Sequence, residues 1–177
     1  LAAEGAVVLV LESEDRARAR GARVYARVRA HARAFDPTAS RSGFGRDATR
    51  LGGAVRAMLT RAGTATSAVD RVVSGASGAI AGDRLEAGTL SAAWQDEALP
   101  PMTTPKRVTG EYAGGFLAAA VLATTGVACP PAADVAPDAT LPLTPPTRPL
   151  HGPAALTLVT SLASGGAASW VLLESAA

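Results

Sequence analysis

The chain has 177 residues, 48% of them hydrophobic but only 4% aromatic, and carries a formal net charge of +2. That is enough to bury one substantial core, so a single domain over residues 1–177 is expected, with no charge excess that calls for nucleic acid. Its one cysteine, Cys129, permits no internal disulfide and fits a reducing, cytoplasmic setting. The longest apolar run, Tyr112 to Ala123, falls short of the roughly 20 residues of a membrane-spanning helix.

Ala6 to Leu11 is a continuous apolar run and reads as a strand buried on both faces. A domain seldom opens on its most buried strand, so the chain is expected to be a fragment, a cleavage product or half of a split protein. Ser13-Glu14-Asp15 begins a short helix, acidic in its first turn and basic after it, which Gly21 stops. From Val24 to Phe35 the alternation has period two. Val24, Ala26, Val28, Ala30, Ala32 and Ala34 share one face, and Tyr25, the arginines, His31 and Phe35 the other. This predicts a strand with one wet side.

A polar loop from Asp36 to Gly45 leads to a helix over Arg46–Ala62. There Leu51, Ala54, Val55, Met58, Leu59 and Ala62 follow helical spacing and Gly63 ends the pattern. Val69 to Ser74 reads as a short strand. Asp83-Arg84-Leu85-Glu86 is a variant capping box opening a helix to about Glu97, and Met102 to Lys106 is extended. Glu111 to Gly126 is apolar almost all round and predicts a buried helix, with Gly114, Gly115, Ala118 and Ala119 permitting close backbone approach. The Pro-rich Cys129–Pro153 segment predicts a surface excursion. Two apolar runs, Ala154–Leu162 and Ser169–Glu174, joined through Ser164-Gly165-Gly166, predict a terminal hairpin. Strands alternating with helices imply an α/β layered domain. There is no internal repeat, no metal-ligand spacing and no cofactor motif.

Four motifs in order resemble the C-terminal half of a β-ketoacyl synthase with the thiolase fold. Glu4-Gly5-Ala6 is similar to that family's Gly-Glu-Gly-Ala entry. Val69-Asp70 through Gly78, and Gly82-Asp83 to Glu86-Ala87, sit where the family carries a His-Gly-Thr-Gly-Thr loop running into a helix. Lys106 with Thr109-Gly110 resembles its Lys-Ser-x-x-Gly-His motif, and Ser164-Gly165-Gly166 its Gly-Phe-Gly-Gly-x-Asn ending; Pro130-Pro131 also fits. The resemblance implies a thiolase-like layered αβαβα fold, of which this chain is the C-terminal half, ending in a β-hairpin.

The departures carry the functional expectation. The resemblance places the family's two histidines at Gly75 and Glu111 and its asparagine at Ala168, while Lys106 is retained. In an active ketosynthase the imidazoles donate hydrogen bonds to charge developing on the thioester and enolate, and losing one oxyanion donor costs on the order of 100-fold in rate. Glycine has no donor and a carboxylate repels that charge. This pattern is most similar to the type II polyketide chain-length factor, the inactive partner of an active ketosynthase. The resemblance therefore implies no catalytic residues, no cofactor and no metal. Its implied partners are an active ketosynthase, an acyl carrier protein and an N-terminal half of the same fold.

The remaining candidates have blander readings. Cys129 reads as a small, partly buried residue, and its pairing with His31 or His151 as a catalytic dyad lacks a carboxylate or a Gly-rich turn beside either histidine. Glu111 reads as a helix N-terminal carboxylate, with general base as the alternative. Lys106 reads as structural, paired with a loop carbonyl or carboxylate. The arginines from Arg16 to Arg33 read as a solvated face or a docking patch for an acidic carrier protein. Two rival functions stand beside the chain-length factor: an acyltransferase whose nucleophile lies in the other half, and a basic binding module.

Overall fold

In a computed structural model, which describes residues 2–125, 138–141, 150 and 154–176, these patterns build one mixed sheet with helices on both faces. The helix Glu14–Ala19 (α1) leads to the strand Ala26–Phe35 (β1), and the helix Ala48–Arg61 (α2) to the strand Arg71–Val73 (β2). Then come the helix Ile80–Trp94 (α3), the strand Met102–Thr103 (β3) and the helices Lys106–Thr109 (α4) and Gly115–Thr125 (α5). The strands Leu156–Leu162 (β4) and Ala167–Ser175 (β5) form the expected hairpin. The sheet order is β1-β5-β4-β2-β3, with β2 parallel to both β3 and β4, and β5 antiparallel to β4 and β1.

Each face of the sheet has its own core. On one face α2 sends Leu51, Val55, Met58 and Leu59, and α3 sends Leu90 and Trp94, onto Val72, Leu158, Trp170 and Leu172. On the other, Ala119 and Ala120 of α5 pack against Val73, Val159 and Leu173. With few aromatics, the first core depends on α2 and α3 coming close together at glycine. A methyl on Gly52 would stand 2.7 Å from Ala92 Cβ and 2.8 Å from the Thr89 carbonyl oxygen.

Four expectations need correction. The alternation of β1 holds, but its faces do not. The register jumps between Val28 and Ala30, leaving Arg29 as an extra residue. This β-bulge turns Ala26 toward the α5 side while Ala30, Ala32 and Ala34 meet the α2 side. Val28 is left 52% exposed. The run Ala6–Leu11 is not a strand: no described segment pairs with it, and Val8, Val10 and Leu11 are 88%, 77% and 79% exposed. A strand exists only through its neighbour's hydrogen bonds, whatever its propensity.

The helix expected over Glu111–Gly126 starts at Gly115, after a turn, and only Gly115, Ala119 and Ala120 of it are buried. The rest of α5 is partly buried except for Leu117, which is 40% exposed, and Thr125. Finally, α3 begins at Ile80 rather than after Asp83. Most of the Cys129–Pro153 excursion lies outside the described residues.

The termini of α1 and α2 behave as their sequences suggest. Gly21 adopts a positive φ after α1, and Gly63 does the same after α2. Glu14 joins α1 to β1 through bonds to Arg27 at 2.7 Å, and it also meets Arg18; the Arg27 and Arg18 guanidinium groups pull its carboxyl down to about 2.

Two adjacent glycines of α2 test the packing with opposite signs. Gly52→Ala is expected to destabilise by about 1–3 kcal/mol through overpacking against Ala92 and Thr89. Gly53→Ala, with nothing within 4 Å of the new methyl, is expected to stabilise by roughly 0.5–1 kcal/mol through helix propensity. Thermal melts of the two variants check this; equal shifts of one sign would refute the close approach.

Candidate functional site

The parallel strands end together, and ligands of α/β sheets bind beyond such carboxyl ends. Here β2 runs into the loop Ser74–Ala79, and β3 runs into Lys106. The loop is anchored at its start by Ser74, 1% exposed, whose N–H donates to the Thr103 carbonyl at 2.8 Å.

Every backbone N–H from Gly75 to Gly78 is taken up within the chain. Gly75 N–H donates to Glu86 Oε1 at 3.1 Å and Thr160 Oγ1 at 3.0 Å. Ala76 N–H donates to Ser74 Oγ at 3.0 Å. Ser77 and Gly78 donate to the two oxygens of Asp83, each at 3.1 Å. Asp83 is therefore not an N-cap. It sits in the first turn of α3 and reaches back to the loop, while Ala79 at the cap position makes no side-chain bond. Gly78 bends the loop with φ +88.

Gly75 lies flat on β4. A Cβ there would stand 2.9 Å from the Thr160 carbonyl oxygen and 3.2 Å from Ser161 Cα. Under it is Glu86, 3% exposed, whose carboxyl also accepts from the Thr160 hydroxyl. Burial pushes the Glu86 carboxyl above its ordinary value, and Asp83 adds repulsion; bonds from Thr160, Ser74 and Gly75 offset this only in part.

On the β3 side, Lys106 Nζ bonds Glu111 Oε2 at 2.7 Å, the lysine side chain 8% and the glutamate 46% exposed. Glu111 thus precedes α5 and serves the lysine, not the helix N-terminus. The start of α5 closes on the pair: a Cβ on Gly115 would be 3.3 Å from Lys106 Cε. The Glu111 carbonyl accepts from Ala3 N–H at 2.9 Å, and the Tyr112 ring lies against Gly5. The entry segment is thereby tied to this edge of the site.

The hairpin turn between β4 and β5 is held by the loop after β1. Asp36 N–H donates to the Gly166 carbonyl at 2.8 Å, and Gly165 N–H to the Gly43 carbonyl at 2.9 Å. The Asp36 carboxyl is fully buried and burial alone would raise it. The Thr38 hydroxyl and the backbone N–H groups of Asp47 and Thr38 outweigh this and hold it below the ordinary carboxylate range.

Gly75 and Lys106 therefore follow neighbouring strands, with Glu111 held by Lys106. Ala168, 3% exposed, is a core residue of β5 paired with Leu162 and Ala34, and presents no polar group. His31 is exposed on the edge strand β1, separated from β2 by β5 and β4; Cys129 and His151 lie outside the described residues. Sequence reasoning missed Glu86, Thr160 and Asp36. Two signals were present: a glutamate between Leu85 and Ala87 within an apolar helix, and the Asp-x-Thr turn pattern at Asp36-Pro37-Thr38. Among the described residues no group of three His, Cys, Asp or Glu side chains is placed to hold a metal ion, and no helix is long and apolar enough to cross a membrane.

The site thus holds a loop whose backbone N–H groups from Gly75 to Gly78 are all bonded within the chain, a lysine paired with Glu111, and an alanine at the hairpin position. The family model for the beta-ketoacyl synthase C-terminal domain matches residues 25–131. The chain belongs to the beta-ketoacyl synthase family. It is 41% identical over 133 residues to the tetracenomycin polyketide synthase ketoacyl synthase beta subunit of Streptomyces glaucescens, covering 72% of this chain and 31% of that protein. It is 41% identical over 124 residues to the putative polyketide beta-ketoacyl synthase 2 of Streptomyces coelicolor, covering 68% and 27%.

Among solved structures, the ishigamide ketosynthase/chain length factor superposes with TM-score 0.80 at 23% identity, over 94% of this chain and 42% of that one. A type II acyl-carrier protein complex with its ketosynthase gives TM-score 0.82 at 20% identity, over 93% and 42%. The ketosynthase-type α/β fold is thereby shown, with the chain forming its C-terminal domain. The chain spans under a third of the length of these curated relatives.

The crowding at Gly75 is open to test. Gly75→Ala is expected to destabilise by about 1–3 kcal/mol, and Gly75→His by more, because β4 backbone rather than a flexible side chain blocks the space. A thermal melt of Gly75→His matching the parent would show that the loop can open to take an imidazole.

Proposed function

We propose that the chain is the C-terminal half of a non-catalytic, chain-length-factor-like subunit that pairs with an active ketosynthase and shapes the tunnel in which a polyketide or polyene chain grows. One observation carries this reading: the loop Gly75–Gly78 spends all its backbone donors internally while Gly75 packs flat on β4. Condensation by a ketosynthase needs donors aimed at an enolate and a thioester oxyanion. The positions that resemble the family's two histidines offer no donor, since Gly75 lacks a side chain and Glu111 is a carboxylate bound to Lys106. The 41% identity to a ketoacyl synthase beta subunit supports the same reading.

The chemistry then belongs to the partner: acyl transfer to its cysteine, decarboxylation of a malonyl unit on a carrier protein, and Claisen condensation. The exposed run Val8–Leu11 and the exposed Leu117 of α5 are where an N-terminal half of the same fold would pack. About 25 cal/mol per Å² of apolar surface covered gives that packing its driving force.

The test is reconstitution of this subunit, joined to its N-terminal half, with a ketosynthase. The two are expected to co-purify, and Glu111→Gln is expected to leave turnover of the complex within about twofold, because the carboxylate has no chemical step to perform. Loss of turnover by two orders of magnitude would make Glu111 a general base. A covalent acyl adduct trapped on this subunit alone would make it an acyltransferase.

A further inference from the structure

Glu86 is a buried carboxyl beneath the loop Ser74–Gly78, and the proposed function makes no use of it. Three elements close on it. From β4 the Thr160 hydroxyl and from the loop the Gly75 N–H both donate to the same oxygen, Oε1. From the end of β2 the Ser74 hydroxyl bonds the carboxyl as well. The charged group that acts on it is Asp83, one turn earlier on its own helix, and it is also an acid. Lys106, the cation that follows β3, is bound by Glu111, and Arg56 of α2 donates to the Ala92 carbonyl further along α3. Glu86 takes part in none of the ion pairs of the described residues.

A carboxylate removed from water with hydroxyl and amide partners but no cation is disfavoured, and the group takes up a proton instead. We propose that Glu86 is a positioning residue held as a neutral acid, which latches the loop Ser74–Gly78 to β4 and lets it loosen when the acid ionises. The proton sits on Oε2, leaving Oε1 free to accept from Thr160 and Gly75. Asp83 fastens the far end of the same loop through Ser77 and Gly78. The two carboxyls divide the work: Asp83 holds the surface end of the loop, and the buried one stays neutral. When Glu86 loses its proton, the desolvated charge is relieved by admitting water, and Gly75, the link nearest the acid, is the first to part from β4. This inference does not depend on whether the site is inactive.

The raised folded-state value sets the sign. The folded chain holds this proton more tightly than the unfolded chain, so stability is full below the ordinary value of 4.5 and is lost as pH rises toward the folded value. The experiment uses the chain in whatever complex it purifies, with hydrogen exchange of the Ser74–Gly78 peptide and thermal melts measured across pH. In the parent, exchange is expected to accelerate beyond the chemical trend by on the order of tenfold for each pH unit above the folded value, with the melting temperature falling in parallel.

Glu86→Gln keeps an acceptor for Thr160 and Gly75 but cannot ionise. It is expected to match the parent at low pH and to show neither the excess exchange nor the decline. Thr160→Val removes a donor that favours the charged form, so the loosening is expected to move to higher pH. If Glu86→Gln keeps the parent's pH slope, or Thr160→Val moves the loosening to lower pH, the neutral latch is wrong. The Thr160→Val shift decides the matter even if the glutamine variant fails to fold.

Discussion

The parallel contact between β2 and β4 is the constraint from which the site follows. Val72 and Val73 pair with Leu158 and Val159, so the chain leaving β2 must cross the last residues of β4. Only a residue without a Cβ can lie on Thr160 and Ser161 at that crossing, and Gly75 is that residue. The same approach brings the Gly75 N–H to the Thr160 hydroxyl and both to Glu86. Register, glycine and buried acid are therefore one arrangement. A larger residue at 75 would push the loop off β4 and take the residue 75 N–H away from Glu86.

On the function proposed above, this arrangement gives a site unsuited to oxyanion chemistry that is nonetheless tightly built. An oxyanion hole keeps N–H groups aimed at empty space, which is unfavourable until substrate fills it. Here each backbone N–H from Gly75 to Gly78 is satisfied by a side chain from α3 or β4, or by Ser74, so the loop has no unmade backbone hydrogen bond to offer. Lys106 follows the same logic. Its stem is covered by the first residue of α5 and its ammonium is matched by Glu111, which leaves a closed ion pair at the end of β3.

Much of the architecture was legible from spacing alone. The period of two in β1, the helical stripe of α2 and the Gly-Gly hairpin became elements close to their expected bounds because each is set by local pattern and glycine conformation. The errors have a common cause, which is that burial is decided by neighbours. Ala6–Leu11 has the composition of an interior strand but no paired strand among the described residues, and α5 is apolar all round but only partly buried. The bulge at Arg29 was invisible for a different reason. The alternation of alanine and arginine continues through it, and alanine is small enough to serve either core.

The polar half of the site was the least legible, and the reason is geometric. Asp83 has the residue type and spacing of a cap, yet Ser77 and Gly78 compete for its carboxylate and the helix begins a turn earlier without it. Glu86 lies three residues on, within a stripe where Leu85, Ala87 and Leu90 are buried, so helical periodicity alone makes it an intruder in a core. What makes it tolerable is Thr160, which is 74 positions away in the chain and reaches it only through the β2–β4 pairing. A local reading can flag such a residue as costly, but the hydroxyl that offsets the cost belongs to the topology. The residues that define this site are therefore those whose local rule is broken and whose compensation is long-range.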